Sequence, residues 1–420
     1  VEVEVDEDVG RVVDGLSDGV GADAGPAAHV GEAVEGGVPG AEVRDRVLDV
    51  ECEHATSIVL AGRVSHPRSL GLFRAGSYAR SMVGHASAER VRGAILQHCR
   101  SGLGGRALRS AVIEELRRAV AFEGYVWVLT DPVTCVGVDP LADVPGVTDL
   151  ARTIRLKYAT PINRWTTLAG VAGLGDLAAT SPLWREVQQP LGVVDVASAV
   201  FRDVHGCWGF LDLWLWELPR PDHLALLTSV LAEVTRALRS AQADTLRLHP
   251  SGTLEYPGAA TLLLDADLRI QGSTPGMEDR LQRLLPAPEG LAPVPAAALN
   301  VAAQLMAVEE GVDGHDPEAR THLGDGRWVV VRAARLRPSD AISVSVEPTT
   351  PAERLALCVR AFGLTAREAD IVGRVARGLD TASIARELQL APYTIQDHLK
   401  SIFTKTGVDS RRDLVPLLSG

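Results

Sequence analysis

Long apolar runs are missing from this sequence of 420 residues. The stretch 211–218 comes nearest, but Asp212 and Glu217 interrupt it, and it is far shorter than the roughly 18 residues that span a bilayer. The sequence also does not begin with the charged and then apolar segment of a secretory leader. These absences predict a cytoplasmic protein with no membrane partner.

Cysteines and catalytic motifs are scarce as well. The five cysteines are scattered, with no CxxC pair and no Cys/His cluster, which disfavours a disulfide framework or a zinc site and agrees with a reducing compartment. Gly170, Gly173 and Gly175 do not form GxGxxG, and no GxxxxGK[ST] occurs. No paired carboxylates, catalytic triad or metal-ligand set is evident. We therefore predict no enzyme, no catalytic residue, no metal and no cofactor.

Excess charge is confined to one end of the chain. The net charge is -12, and the first 60 residues hold 15 acidic and three basic residues, which leaves 39 of each sign in the remainder. The overall acidity therefore does not exclude a nucleic-acid partner. Residues 1–82 have no helical or strand period, which predicts an acidic, disordered tail. Met82 is the first methionine, so a further hypothesis is that part of this tail does not belong to the native protein.

Two stretches of mixed helix and strand pattern follow and predict two α+β domains. In the first, 83–245, we predict helices at 91–99, 108–120 and 222–242, the earliest capped by Ser87, and strands at 125–130, 197–202 and 207–216. In the second, 257–348, we predict strands at 261–264, 268–271, 327–334 and 341–347, with a helix at 294–308.

Some features of the first domain have two interpretations. The leucine stripe of helix 222–242 suits either the closing helix of its own domain or a parallel dimer seam. His205 and Cys207 suit a haem or redox site, although such residues in a β-turn are more often structural. The tryptophans of the last strand are expected to share one side as core residues: Trp208, Trp214 and Trp216.

The final segment, 355–420, has the pattern of four short helices. Thr365 and Glu368 form a capping box, and Gly378 supplies a left-handed helix end. Asp380 or Thr381 caps the second helix, and Pro392 suits the first turn of the third. Two helices joined by so short a turn are typical of a helix-turn-helix, whose second helix enters the major groove of DNA.

The outward side of that second helix predicts the DNA contacts. Gln396 can pair with adenine, Asp397 can accept from cytosine, and Lys400 can pair with guanine. Contacts to the DNA backbone are predicted for a second set of polar and basic residues: Thr381, Thr394, Ser401, Lys405, Ser410, Arg411 and Arg412.

This segment closely resembles the LuxR/GerE-type DNA-binding domain over some 55 residues. The matching strings are Leu364-Thr365-Ala366-Arg367-Glu368, Gly378-Leu379, Ile384-Ala385 and Pro392-Tyr393-Thr394-Ile395 with His398. Ala391 replaces the usual serine and Thr406 the usual leucine. The resemblance implies a transcription regulator with double-stranded DNA as its partner, a homodimer as its binding form, and RNA polymerase as a further candidate partner.

The upstream regions carry fainter resemblances. Residues 83–245 are similar to GAF-like sensor domains that precede LuxR-type domains in actinobacterial regulators, through 200–203 and 206–214. Residues 257–348 resemble PAS domains, through 264–269 and 326–328. Together they imply a one-component sensor for a small-molecule ligand of unidentified chemistry. Two alternatives stay open: a small-molecule or haem-binding sensor or enzyme whose helix-turn-helix is only regulatory, and an interaction module that no longer binds DNA.

Overall fold

The computed structural model describes residues 77–249, 258–287, 292–324 and 326–419. The predicted acidic tail lies outside these ranges, apart from residues 77–82, which form the start of helix α1 (Ser77–Arg100). Ser87 was expected to cap this helix, and that prediction is wrong because Ser87 lies inside α1. A capping residue needs a non-helical backbone, and the helix runs on both sides of Ser87.

The first α+β region is built on an antiparallel sheet of five strands in the order β2-β1-β5-β4-β3. Its strands are β1 (Gly124–Thr130), β2 (Gly137–Asp143), β3 (Val171–Gly173), β4 (Asp195–Asp203) and β5 (Gly206–Leu215). Its remaining helices are α2 (Gly105–Leu116), α3 (Leu150–Ala159) and α4 (Pro221–Arg247). The apolar side chains of α1, α2 and α4 pack on one face of the sheet, around Trp127 and Leu211. The predicted strands are confirmed, whereas β2, β3 and α3 were not predicted.

The predicted alternation of tryptophans along β5 is broken by a bulge. Phe201 pairs with Gly209, but the next residue, Arg202, pairs with Cys207, so Trp208 has no partner in the ladder. Trp208 therefore packs in the core that contains α1, α2 and α4, whereas Trp214 belongs to a separate cluster. Both are core residues, as predicted, but they do not share a side.

The leucine stripe of α4 belongs to the core of its own chain. Leu227, Val234 and Leu238 are buried, and α4 packs against α1 and β4. Side chains buried in this way cannot also form a free seam between two copies. The closing-helix interpretation is therefore the one that the structure favours.

The second α+β region has another antiparallel sheet of five strands, in the order β7-β6-β10-β9-β8. Its strands are β6 (Ala260–Leu264), β7 (Ile270–Ser273), β8 (Glu318–His322), β9 (Trp328–Arg335) and β10 (Ile342–Pro348), and its helices are α5 (Met277–Leu284) and α6 (Ala296–Glu309). Helix α6 is buried on most of its circumference because it packs against both β9 and α3. The predicted helix and strands are confirmed, and α5 and β8 are additional.

The C-terminal region is entirely helical. It consists of α7 (Pro351–Ala361), α8 (Ala366–Ala376), α9 (Thr381–Leu388), α10 (Pro392–Thr406) and α11 (Arg411–Ser419). The fold class is thus confirmed at the level of α+β sheets followed by an all-helical domain, with α7 as an unpredicted fifth helix. Within the described ranges, no helix is both long enough and apolar enough to cross a membrane.

Candidate nucleic-acid interface

The helix pair α9 and α10 has the geometry that its sequence predicts. The side chain of Asp380 caps α9 by accepting from the amide of Ser383 at 2.7 Å. Gln389 ends α9 in the left-handed conformation, with φ 53°, and the chain turns within two further residues into Pro392, the first residue of α10. The Ala391 side chain makes no capping hydrogen bond, as expected for a residue that replaces serine. Pro392 has no amide hydrogen, so it removes one of the donors that the first turn of a helix leaves without a partner, and the amide of Thr394 donates to the carbonyl of Ala391 at 3.0 Å.

The outward side of α10 carries the three predicted base contacts. Gln396, Asp397 and Lys400 are all exposed, while the opposite side of the helix is buried through Ile395 and Leu399. Asp397 Oδ1 and Lys400 Nζ lie 3.1 Å apart, and their side chains are 66% and 77% exposed. An ion pair this exposed contributes little stability, so it can open when a ligand competes for either partner.

Two of the predicted backbone contacts are engaged inside the domain instead. Ser401 Oγ donates to Glu368 Oε1 at 2.7 Å, and Lys405 Nζ lies 2.6 Å from Glu368 Oε2. Glu368 itself is buried, with 3% of its surface exposed, and also accepts from the amide of Thr365. The contact of Ser401 and Lys405 with DNA stays a prediction, but both now have a structural partner.

The electrostatics of Glu368 follow from these bonds. Burial alone would raise the pKa of its carboxyl group, but hydrogen bonds from Lys405, Ser401 and Thr365 outweigh burial and lower the pKa to about 2. The carboxylate thus ties the start of α8 to the second half of α10. The capping box was visible in the sequence, but no signal there linked Glu368 to residues more than 30 positions away.

The remaining predicted backbone contacts lie at helix starts. Thr381 begins α9 and is half-buried, and Thr394 lies in the first turn of α10. Ser410 bonds to Asp413 at 2.6 Å, and Arg411 donates to the carbonyl of Leu379. At the start of α11, Arg412 is exposed. Their contacts with the DNA backbone stay predictions.

Two arginines, the buried Arg354 and the exposed Arg247, attach the helical domain to the rest of the chain, and the sequence did not reveal these contacts. Arg354 in α7 donates to the carbonyls of Leu417 at 3.0 Å and Leu246 at 2.9 Å. Arg247 at the end of α4 donates to the carbonyl of Thr406 at 2.8 Å and lies over the ring of Phe362. As a result, one continuous apolar core runs from α1 to α11.

Comparison with known proteins identifies this helical domain. Residues 363–418 match the family described as bacterial regulatory proteins, luxR family. The C-terminal domain is a LuxR-type helix-turn-helix. The chain is also 46% identical, over 52 residues, to the monoamine regulon transcriptional regulator of Klebsiella aerogenes, an alignment that covers 12% of this chain and 23% of that protein. The alignment thus spans about a quarter of the length of that regulator.

Proposed function

We propose that this protein regulates transcription by binding a specific DNA sequence through α10. The observation that carries the proposal is the exposed polar side of α10, presented by a LuxR-type helix-turn-helix whose other side is buried. An α-helix fits the major groove, where each base pair offers a distinct pattern of donors and acceptors.

Three side chains have the chemistry for base contacts. The amide of Gln396 both donates and accepts, as adenine requires, and the ammonium group of Lys400 suits the acceptors of guanine. Asp397 repels phosphate, and its pairing with Lys400 reduces that cost. The domain 363–418 holds eight basic and seven acidic residues, so we expect weak sequence-independent binding and a large share of the affinity from base contacts.

We propose that residues at the starts of α9, α10 and α11 contact the DNA backbone. We propose phosphate contacts for Thr381, Thr394 and Arg412 through their hydroxyl and guanidinium groups, and for Ser410 and Arg411 at the start of α11. We assign Ser401 and Lys405 chiefly to holding α10 on α8 through Glu368, because a phosphate contact would require them to leave a buried carboxylate.

The two α+β regions are proposed as the sensor part, GAF-like over 83–245 and PAS-like over 257–348, in a protein that binds DNA as a dimer. Two recognition helices of a dimer reach half-sites about one helical turn apart. The bonds of Arg247 and Arg354 give a change in the α+β regions a direct route to α10 and α11.

The test is selection of bound duplexes from a random library with the full chain at low salt. We expect one enriched sequence with two half-sites about 10 base pairs apart. Gln396→Ala should relax the preference at one base pair and weaken binding to the enriched site by about 1–3 kcal/mol. The matched control is Gln97→Ala, an exposed glutamine of α1, which should bind like the wild type.

Two results would contradict parts of this proposal. If no sequence is enriched by the wild type, sequence-specific binding is wrong. If the enriched site contains a single half-site, DNA binding stands but the dimer is wrong.

A further inference from the structure

Two free cysteines meet beneath the tip of the β4–β5 hairpin. Cys135 lies in the turn between β1 and β2, and Cys207 is the second residue of β5. Both are buried, with 5% and 1% of their surfaces exposed, they belong to one buried cluster, and each thiol shifts the pKa of the other. Two neighbouring thiols can together lose two electrons and form a disulfide, which a lone buried cysteine cannot do.

Hydrogen bonds fix the backbone around the pair and bring the β1–β2 turn against the start of β5. The amide of Cys207 donates to the carbonyl of Pro132 at 3.3 Å, and Thr130 Oγ1 donates to the carbonyl of Cys207 at 2.8 Å. Asp131 fixes the turn by accepting from the amides of Val133 and Thr134. These bonds fix the backbone on both sides of the pair, so a bond between the sulfurs would act on the β4–β5 hairpin.

The surroundings favour a thiolate at this site. Arg202 Nη2 lies 3.9 Å from the sulfur of Cys135, and the arginine side chain is exposed, so the pair lies one side chain beneath the surface. The hydrogen bond from Cys135, against the effect of burial, lowers the pKa of Cys207 to about 6, and the same bond raises the pKa of Cys135. Cys207 is therefore the member of the pair that loses its proton first.

The other two cysteines of the described part of the chain lack these features. Burial raises the pKa of the Cys358 thiol to about 12 and that of the Cys99 thiol to about 11. Neither therefore carries an appreciable thiolate fraction at neutral pH. They serve as internal controls for the chemistry of the pair.

We propose that Cys135 and Cys207 are a peroxide-reactive dithiol that closes into a disulfide. The thiolate sulfur attacks one oxygen of hydrogen peroxide, the O–O bond breaks, and a sulfenic acid and hydroxide result. The second sulfur then attacks the sulfenic sulfur, forms the S–S bond and displaces the oxygen as water once protonated. In total, two thiols lose two electrons and two protons, and hydrogen peroxide is reduced to two water molecules.

The cysteine pair lies next to a hairpin that contacts the DNA-binding domain. An effect of oxidation on DNA binding rests on the proposed function. His205, two residues before Cys207, accepts through its carbonyl from Arg360 of α7 at 2.8 Å. Asp203 in the same hairpin pairs with Arg239 of α4 at 3.1 Å. A bond between the sulfurs pulls on the hairpin that makes both contacts, so oxidation should change the affinity for DNA.

The experiment treats the reduced full chain with a few equivalents of hydrogen peroxide and quantifies each cysteine by differential alkylation and peptide mass spectrometry. We expect Cys135 and Cys207 to become protected together, as one cross-linked peptide pair about 2 Da lighter than the two thiols. Cys99 and Cys358 should remain alkylatable. Cys135→Ala keeps the attacking sulfur of Cys207 but removes its partner, so this variant should instead stop at a sulfenic acid that a 1,3-dione traps.

A second arm measures the dissociation constant for the selected duplex before and after oxidation. We expect a change of about fivefold or more that a dithiol reductant reverses and that Cys135→Ala abolishes. If the peroxide leaves both cysteines alkylatable, or oxidises Cys99 or Cys358 as readily, the dithiol proposal is wrong. If the disulfide forms and the affinity is unchanged, its link to the DNA-binding domain is wrong. If neither form binds any DNA, the proposed function fails, and the thiol measurement still decides the chemistry.

Discussion

Glu368→Gln is the substitution that probes the internal bonds of the helix-turn-helix most sharply. It keeps the shape of the side chain but removes the charge that Lys405 and Ser401 contact. The amide keeps one acceptor, its carbonyl oxygen, so Lys405 faces at best a neutral acceptor in place of a carboxylate. The start of α8 and the second half of α10 then lose their shared anchor.

The expected magnitude follows from the pKa of Glu368. A carboxyl group lowered from 4.5 to about 2 on folding stabilises the folded domain by about 3 kcal/mol at neutral pH. Because the folded-state pKa is depressed, this stabilisation is complete above the unfolded value of 4.5 and is lost as the pH falls toward 2. The wild type should therefore lose about 1 kcal/mol of this contribution by pH 4, whereas the glutamine variant has none to lose.

The assay is hydrogen exchange of the amides of α8 and α10, measured by mass spectrometry on the full chain. A loss of about 3 kcal/mol corresponds to roughly 100-fold faster exchange through local opening. Glu387→Gln is the matched control, because Glu387 forms exposed ion pairs with Arg374 and Arg377 in the same domain. That control should change stability by less than about 1 kcal/mol.

Equal exchange rates in the two variants would refute this account of Glu368. If Glu368→Gln speeds exchange by the same factor at pH 7 and at pH 4, the substitution destabilises the domain for a structural reason. That result would refute the electrostatic explanation.

Three further predictions concern substitutions elsewhere in the chain. Gly363→Ala should lower the melting temperature more than Gly378→Ala. Both glycines have positive φ, but only at position 363 would the new methyl group meet Arg239. We expect a loss of folding stability of about 1 kcal/mol for Gly378→Ala and at least twice that for Gly363→Ala. Arg354→Met should cost about 3 kcal/mol through two lost buried hydrogen bonds and should speed proteolysis between α7 and α8; unchanged proteolysis would contradict its role in attachment. Arg412→Ala should reduce the slope of log Kd against log salt by about 1, and an unchanged slope would remove Arg412 from the phosphate contacts.

The helix-turn-helix was predictable from the sequence because its signals are local. The capping box of Thr365 with Glu368, the glycine at 378 and Pro392 each act within one helical turn, and all three occupy the predicted positions. The same kind of signal marks α7, where Thr350 and Glu353 form a second capping box, and it was overlooked. Helix α7 is therefore predictable from the sequence as well.

Other features depend on contacts that no local pattern encodes. Strand β8 has the sequence Glu-Ala-Arg-Thr-His, without apolar alternation, and it is a strand because it pairs with β9. The bulge at Trp208 shifts one tryptophan to the other face of its strand. Ser401 and Lys405 bond to Glu368, which lies more than 30 residues earlier in the chain. Helical periodicity predicts that both residues face outward, but it cannot show that they contact Glu368.

The central claim, that α10 enters the major groove, is tested most directly by methylation interference on the selected duplex. Dimethyl sulfate methylates guanine at N7, which lies in the major groove, and adenine at N3, which lies in the minor groove. The account predicts that methylated guanines within the half-sites prevent binding of the full chain, whereas methylated adenines do not, and that Lys400→Ala weakens the guanine effect. Interference from adenine N3 alone would place the protein in the minor groove and contradict the account.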